Sequence, residues 1–280
     1  MSNQGGLASI YTTLGESMKL TSTLLIALGF LTLANVAQAA VLTTVEWESK
    51  PGTVWTYSGT VVDCAVPPSP SGGCALKFTY PAGTYSTSFS AGRAEYIVPG
   101  DPTEVYIGAW MRYSNPFTFH PNGHKINLFY LGGISTCRNI AFGYSGNTFA
   151  GIPQICWGPG TKNYFQNLGS WNHLVHLNEW HWYEMRVKAN TPGVSDGIIQ
   201  VWIDNALYLS YSNIPFRAAG DTVGFRYIQH SGEWGGGGGT IPQTGYWWVD
   251  HTVISTTKIG MPGGAPAGDS TPPAPPLGVR

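Results

Sequence analysis

Between Cys74 and Thr256 the chain alternates apolar and polar residues with a period of two, in short runs bounded by Gly, Pro, Asn and Asp. Successive side chains of a strand point to opposite faces, so a sheet with one buried face is written in sequence this way. The runs predict strands in CALKFTYP (from Cys74), TEVYIGAWMRYS (from Thr103), GHKINLFYLGG (from Gly123) and RNIAFGYSG (from Arg138). Further strands are predicted in WHWYEMRVKAN (from Trp180), GIIQVWIDNALYLSY (from Gly197), TVGFRYIQHSGEW (from Thr222) and GYWWVDHTVIST (from Gly245). Asn190-Thr191-Pro192-Gly193, followed by Asp196-Gly197, predicts a hairpin turn, and Asp204-Asn205 a second one, with Val201 to Ile203 returning through Leu207 to Leu209. No stretch carries a helical period, so the fold class is all-β.

The two ends read differently. Met18-Lys19 leads into the apolar run Leu24 to Leu33 and the small-residue site Ala37-Gln38-Ala39, the layout of a secretory signal peptide cleaved after Ala39. The run is too short for a membrane span, which takes about 20 apolar residues, and no later segment comes near that length. The mature chain is therefore expected outside the cytoplasm, extracellular or periplasmic, with no membrane partner. After Gly260 the sequence turns rich in Pro and Gly, the composition of a linker that builds no core. The expected organisation is an extension and signal peptide over 1–39, one β-domain over 40–260 and a tail over 261–280.

Composition narrows the partners. Charged residues make up 10% of the chain, against about 25% in an average soluble protein, while aromatics reach 13%. A formal net charge of -1 excludes the basic footprint of a nucleic-acid binder. A monomer is expected. Four cysteines in an exported chain suggest disulfides, and of the three possible connectivities Cys64 with Cys74 and Cys137 with Cys156 closes the shortest loops.

WHWYEMRVKANTPGVSDGIIQVWIDNALYLSY, with FRYIQHSGEWGG and YWWVDHTVISTTKIG, resembles the closing strands of concanavalin A-like jelly rolls over Glu179 to Gly260. The resemblance implies a sandwich of two antiparallel sheets. Within that superfamily GHKINLFYLGG resembles the strand G-x-K-x-x-x-L-x-G-G of polysaccharide lyase families fourteen and twenty, which cleave alginate and glucuronan, with Lys125 at the matched position. It implies a lyase acting on an acidic, uronate-containing polysaccharide by β-elimination. The alternative is a non-catalytic, lectin-like carbohydrate-binding jelly roll, and a structural or adhesion module is a third.

Glycoside hydrolysis needs two carboxylates about 5 to 9.5 Å apart, and the single acidic pair at i, i+2 spacing is Glu46 and Glu48 near the mature N-terminus, a weak basis for a glycosidase. Elimination needs instead a cation or amide against the uronate carboxylate, a base for the C5 proton and an acid for the leaving oxygen. Alternation puts Trp110 with Arg112, Lys125 with Asn127 and Phe129, and Arg226 with Ile228 and His230, each set on one face, with Tyr227 and Gln229 opposite the last. Taking Ile126, Leu128 and Tyr130 as core, Lys125 and Asn127 face a cleft. The candidate catalytic residues are Lys125 and Arg112 as neutralisers and Tyr227 or His230 as base; Trp110, Asn127, Arg226 and Trp234 are candidate substrate contacts. Trp234 precedes the glycine run 235–239, read as a mobile loop at the cleft mouth. No cofactor is required by this reading. His173, His176, Glu179 and His181 match no strong zinc spacing, whereas Asp250 with Glu46 is the candidate pair for a structural calcium, which needs only oxygen ligands.

Overall fold

The structure, a computed structural model, describes residues 40–52, 54–85, 87–134, 138–145, 148–155, 176–235 and 237–263. The expectations placed on the signal peptide, the Pro-rich tail, His173, Cys137 and Cys156 lie outside these residues. No helix occurs among them. Fourteen strands form two antiparallel sheets.

The first sheet runs β12 (Ala206–Ile214), β11 (Gly197–Ile203), β10 (Trp180–Lys188), β6 (Glu104–Tyr113), β14 (Gly245–Ser255), β4 (Ala75–Tyr80) and β3 (Val61–Asp63), and β1 (Val41–Val45) also pairs with β14. The second runs β2 (Trp55–Ser58), β5 (Ser88–Ile97), β13 (Phe225–Gly235), β7 (His124–Leu131), β8 (Arg138–Ser145) and β9 (Thr148–Ile155). Every strand run read from the sequence overlaps one of these elements, and GIIQVWIDNALYLSY spans two, β11 and β12. The unread ones, β1, β2, β3, β5 and β9, include edge strands and Gly- and Ser-rich stretches where the apolar signal is thin.

Between the sheets lies one core. Val105, Ile107, Ala109 and Met111 of β6, Met185 and Val187 of β10 and Trp247 and Val249 of β14 face Ala94 and Tyr96 of β5, Ile126 and Phe129 of β7, Ile140 and Phe142 of β8 and Ile228 of β13. Each fully buried Val, Leu or Phe side chain contributes roughly 1.5–3 kcal/mol, and their alternation along β6, β10 and β14 sets the register of the first sheet. The β11–β12 hairpin turns on Asp204 (φ 50°) and Asn205 (φ 66°), both left-handed, as a two-residue turn joining twisted strands requires. The other predicted turn is held by Asp196, whose carboxylate accepts from the backbone N–H of Thr191 at 2.6 Å and from its hydroxyl at 2.7 Å. Cys64 and Cys74 are joined by a disulfide, as expected from their spacing.

One irregularity decides what the second sheet presents. The β7–β8 register passes from Lys125 opposite Gly143 to Asn127 opposite Phe142, and the β7–β13 register jumps between Asn127 with His230 and Lys125 with Glu233. This is a β-bulge, which puts two successive residues, Ile126 and Asn127, on the inner side and inverts the alternation beyond them. Gly143 permits it, since a Cβ there would lie 2.0 Å from the carbonyl oxygen of His124.

Candidate functional site

Because of the bulge, Lys125, Leu128 and Tyr130 point to the outer face of the second sheet, while Asn127 and Phe129 point inward. This differs from the alternation read from the sequence, which puts Leu128 and Tyr130 in the core and Asn127 outside. Lys125 does face outward, but Asn127 is fully buried and Tyr130 leaves the core to join Leu128, Ala141 and Tyr227 in a small outer cluster. Strict period-two counting carries no record of an inserted residue.

Cross-strand pairing assembles the rest of that face. Tyr130 lies opposite Tyr227, Leu128 opposite Gln229, and Gln229 opposite Glu95, which in turn lies opposite Thr56. Directly opposed residues share a face, and diagonal neighbours are near enough for long side chains to meet. Arg93 is two residues from Glu95 on β5 and opposite Ser231, and Lys125 is opposite Glu233. The outer face of β5, β13 and β7 thus gathers two cations, two carboxylates, an amide and two phenols, in a chain where charge is scarce.

Their contacts are specific. The Gln229 amide donates to Glu95 Oε2, and Thr56 Oγ1 donates to Glu95 Oε1 at 3.4 Å. Both Glu95 and Gln229 are buried, at 5% and 3% exposure, so the carboxylate fixes the amide with one N–H engaged and a second left to donate. Lys125 Nζ pairs with Glu233 Oε1 at 2.7 Å, both partly exposed. Arg93 is exposed. Burial first, and then the carboxylates of Glu95 and Glu233, push the Tyr130 phenol up to about 12, with Arg93 pulling the other way. Tyr130 is therefore a protonated donor at neutral pH, and a bound anion held by Arg93 and Lys125 would lie beside it.

The other candidates from sequence lie elsewhere. Trp110 and Arg112 are on β6, whose inward positions are the odd-numbered residues Val105 to Tyr113; both therefore sit on the outer face of the first sheet, away from Lys125. His230 does share a face with Ile228, but that face is the interior. Its Nε2 meets Thr252 Oγ1 at 2.9 Å, its Nδ1 meets the Asn127 amide at 3.0 Å, and burial among Trp47, Trp55 and Trp247 pulls its pKa down to about 3. An outer-face ligand has no access to it. Arg226 is exposed at the end of β13 and lies 3.8 Å from Asp101. Trp234 is 3% exposed, with its indole N–H donating to the Thr118 carbonyl at 2.9 Å and its ring 4.4 Å from that of His120, so it packs in the core and presents no stacking platform. Asp250 is buried under the Ser69 and Ser71 hydroxyls at 2.6 and 3.1 Å, and burial raises its pKa to about 6. Glu46 accepts from His251 Nδ1 at 2.6 Å. Among the described residues no three His, Cys, Asp or Glu side chains gather as a metal site.

Arg93, Glu95, Glu233 and the outward role of Tyr130 escape the sequence reading. The first two had a signal: in GRAEYIV, Arg93 and Glu95 alternate with Ala94 and Tyr96 as a half-buried strand should. The last two depend on bulges.

No protein-family model matches the chain, and no curated protein matches it in sequence. Solved structures do share its fold. The PL-14 alginate lyase of Aplysia kurodai superposes with a TM-score of 0.59 at 16% identity, covering 78% of this chain and 100% of its own. Alginate lyase vAL-1 from Chlorella virus gives 0.57 at 16%, covering 78% and 100%, and the endo-β-1,4-glucuronan lyase of Trichoderma reesei gives 0.56 at 16%, covering 78% and 96%. The chain has the jelly-roll sandwich of these polysaccharide lyases.

Proposed function

We propose that the protein is an exported lyase that cleaves a uronate-containing polysaccharide by β-elimination on the outer face of the six-stranded sheet. The observation that carries this reading is the concentration of Arg93, Lys125, Gln229, Tyr130 and Tyr227 on three adjacent strands of that face. Each is a part that elimination needs. Arg93, Lys125 and the Gln229 amide bind the uronate carboxylate and withdraw charge from it, which acidifies the proton on C5. Tyr227 in its phenolate form accepts that proton and becomes a phenol, the C5–H electron pair forms the C4–C5 double bond, and the C4–O bond breaks with its electron pair passing to the glycosidic oxygen. Tyr130, protonated beforehand by its raised pKa, gives its proton to the departing glycosidic oxygen. The shared fold with alginate and glucuronan lyases supports the substrate class, and the disulfide supports export.

Binding without cleavage is the second reading, favoured by the 2.7 Å pairing of Lys125 with Glu233, which leaves Arg93 as the cation of that face with no ion pair among the described residues. Incubation with alginate, glucuronan and polygalacturonate separates the two, because elimination creates a conjugated double bond that absorbs in the ultraviolet. The expected result is a rise in absorbance with at least one polymer, abolished in Tyr130→Phe at nearly unchanged melting temperature. No rise with any of the three, with binding retained, would reassign the face to recognition.

A further inference from the structure

Part of the outer face of the eight-stranded sheet is covered by the chain itself. Trp182 and Trp110 pack under Ile259 and Met261, and the buried carboxylate of Glu184 holds that cover by accepting from the backbone N–H groups of Ile259 and Gly260 at 2.8 and 2.9 Å. The loop closed by Cys64–Cys74 covers the next stretch, where its Ser69 and Ser71 reach Asp250. Beside these covers a row of side chains stays partly open. In register across β10, β6, β14 and β4 it runs Trp180, Arg112, Trp248 and Lys77, with Tyr246 beside Trp248.

Arg112 is the anomaly in this row. Among the described residues the partly or fully buried cations are Lys77, Arg112, Lys125, Arg138, Arg186 and Arg217. Lys77 pairs with Asp63, Lys125 with Glu233, Arg138 with Asp221 and Arg186 with Glu104, while Arg217 donates to the carbonyls of Asn190 and Val223. Arg112 has no such partner, and its Nε is buried without a hydrogen bond. The carboxylate that acts on it, Glu179, is exposed and outside ion-pair distance. A half-buried guanidinium with donors to spare is a planar fork suited to a carboxylate.

The flanking tryptophans are fixed in place. Trp180 donates its indole N–H to the Pro67 carbonyl at 2.9 Å, and Trp248 donates to Asp63 Oδ2 at 3.0 Å, so both rings are anchored by Asp63 and Pro67, on either side of Cys64. Two strand spacings, about 10 Å, separate them with Arg112 between. Flat apolar rings on either side of an unpaired cation match an extended chain of acidic sugars, whose C–H faces stack and whose carboxylate needs a cation. Fixed platforms also lower the entropy lost on binding.

We propose that Trp180, Arg112 and Trp248 form a second saccharide-binding site, specific for a uronate chain, on the face opposite the proposed cleavage site. It goes beyond the cleavage reading and stands without it, since it is a binding site that needs no turnover. The test uses the mature protein carrying Arg93→Ala and Lys125→Ala, which disables the other face, with sodium alginate, glucuronan and polygalacturonate as probes. Retardation in gels containing each polymer and quenching of tryptophan fluorescence are the readouts. Binding of at least one polymer should persist, weaken at least tenfold on adding Arg112→Gln, survive Arg112→Lys in part, and weaken similarly in Trp248→Ala. A neutral glucan hexamer should show no dependence on Arg112. If the Arg93→Ala, Lys125→Ala protein binds none of the three polymers, or binds them equally well with Arg112→Gln, the second site does not exist. Ultraviolet assays of the unaltered protein keep the readings apart, because turnover without Arg112-dependent binding would overturn the second site alone, and Arg112-dependent binding without turnover would overturn the cleavage reading alone.

Discussion

Replacing His124 with phenylalanine should make the fold more resistant to acid by an amount that the structure specifies. His124 points inward from β7 into a box of Tyr80, Phe117 and Phe119, with ring centroids 5.2–5.4 Å away, and of Tyr113 and Tyr144 at 6.4 and 6.5 Å. Neither ring nitrogen has a hydrogen-bond partner among the described residues. Burial, reinforced by the nearby His120, holds the imidazole pKa at about 3, against 6.5 for a free histidine. The native ring is therefore neutral. As pH falls below 6.5 the unfolded chain takes up a proton that the native chain refuses, and stability is lost until the pH reaches the native value. At pH 4.5, two units below the unfolded pKa, the loss is about 2–3 kcal/mol. His230 is depressed in the same way, and Asp250, raised to about 6, works in the opposite direction between its unfolded and native values. Both contribute equally to wild type and variant, so the difference between the two isolates His124. At pH 7 the substitution should have little effect, because relief of the two unpaired nitrogens, roughly 1–3 kcal/mol, is offset by the bulk of phenylalanine. Urea unfolding of both proteins at pH 7 and pH 4.5, with the disulfide intact, measures the effect. The variant should gain about 2–3 kcal/mol on the wild type between the two pH values. A gap that is the same at both, within about 1 kcal/mol, would mean that His124 is not held neutral by burial.

Two further outcomes follow from contacts distant from either outer-face site. Replacing Cys64 and Cys74 with alanine should cost about 2–3 kcal/mol in urea unfolding, the range for a short closed loop, and should expose Asp250 by freeing Ser69 and Ser71. Asn190 is fully buried, donates to the carbonyls of Thr191, Val194 and Arg217 at 2.7–2.9 Å and accepts from the Arg217 N–H; Asn190→Ala should therefore lower stability by roughly 2–4 kcal/mol, with the melting temperature as readout.

What could be read from sequence, and what could not, divides along physical lines. The strands of TEVYIGAWMRYS and WHWYEMRVKAN are legible because both lie in mid-sheet with a continuous apolar face, and alternation needs nothing else. The Cys64–Cys74 pairing is legible because a ten-residue separation brings the sulfurs together cheaply. Orientation relative to the sandwich is harder. The pattern in FRYIQHSGEW groups Ile228 with His230 and sets Gln229 opposite, and the structure keeps that grouping, but polarity suggests that His230 faces water when a histidine partnered by Asn127 and Thr252 can sit in the core. Trp110 and Arg112 share a face as read, yet which sheet β6 joins is fixed by pairing with β10 and β14, contacts that local alternation does not encode. Trp234 reads as a substrate contact beside a mobile glycine loop. Its burial rests on Thr118 and His120, more than a hundred residues away.

The bulge in β7 links the interior to the site. Without it, Asn127 would stand outside with Lys125, and Leu128 and Tyr130 would enter the core. An extra residue inside a ladder leaves polar groups to be satisfied, and here the Asn127 amide does this by donating to the Gln229 carbonyl at 3.2 Å and to His230 Nδ1. With Nδ1 accepting, neutral His230 carries its proton on Nε2 and donates to Thr252 Oγ1, which also accepts from Trp47 Nε1 at 2.9 Å. Thr252 belongs to β14 of the opposite sheet, so the chain of hydrogen bonds runs from the bulge across the sandwich and pins one sheet to the other. Hydrogen bonds in the interior, here from the Asn127 amide N–H groups to His230 and from His230 to Thr252, specify an arrangement where apolar packing alone would tolerate a slip. The inward Asn127 and the outward Tyr130 are therefore two consequences of one inserted residue, and the phenol proposed to protonate the leaving sugar is held in position through a relay that no sugar touches.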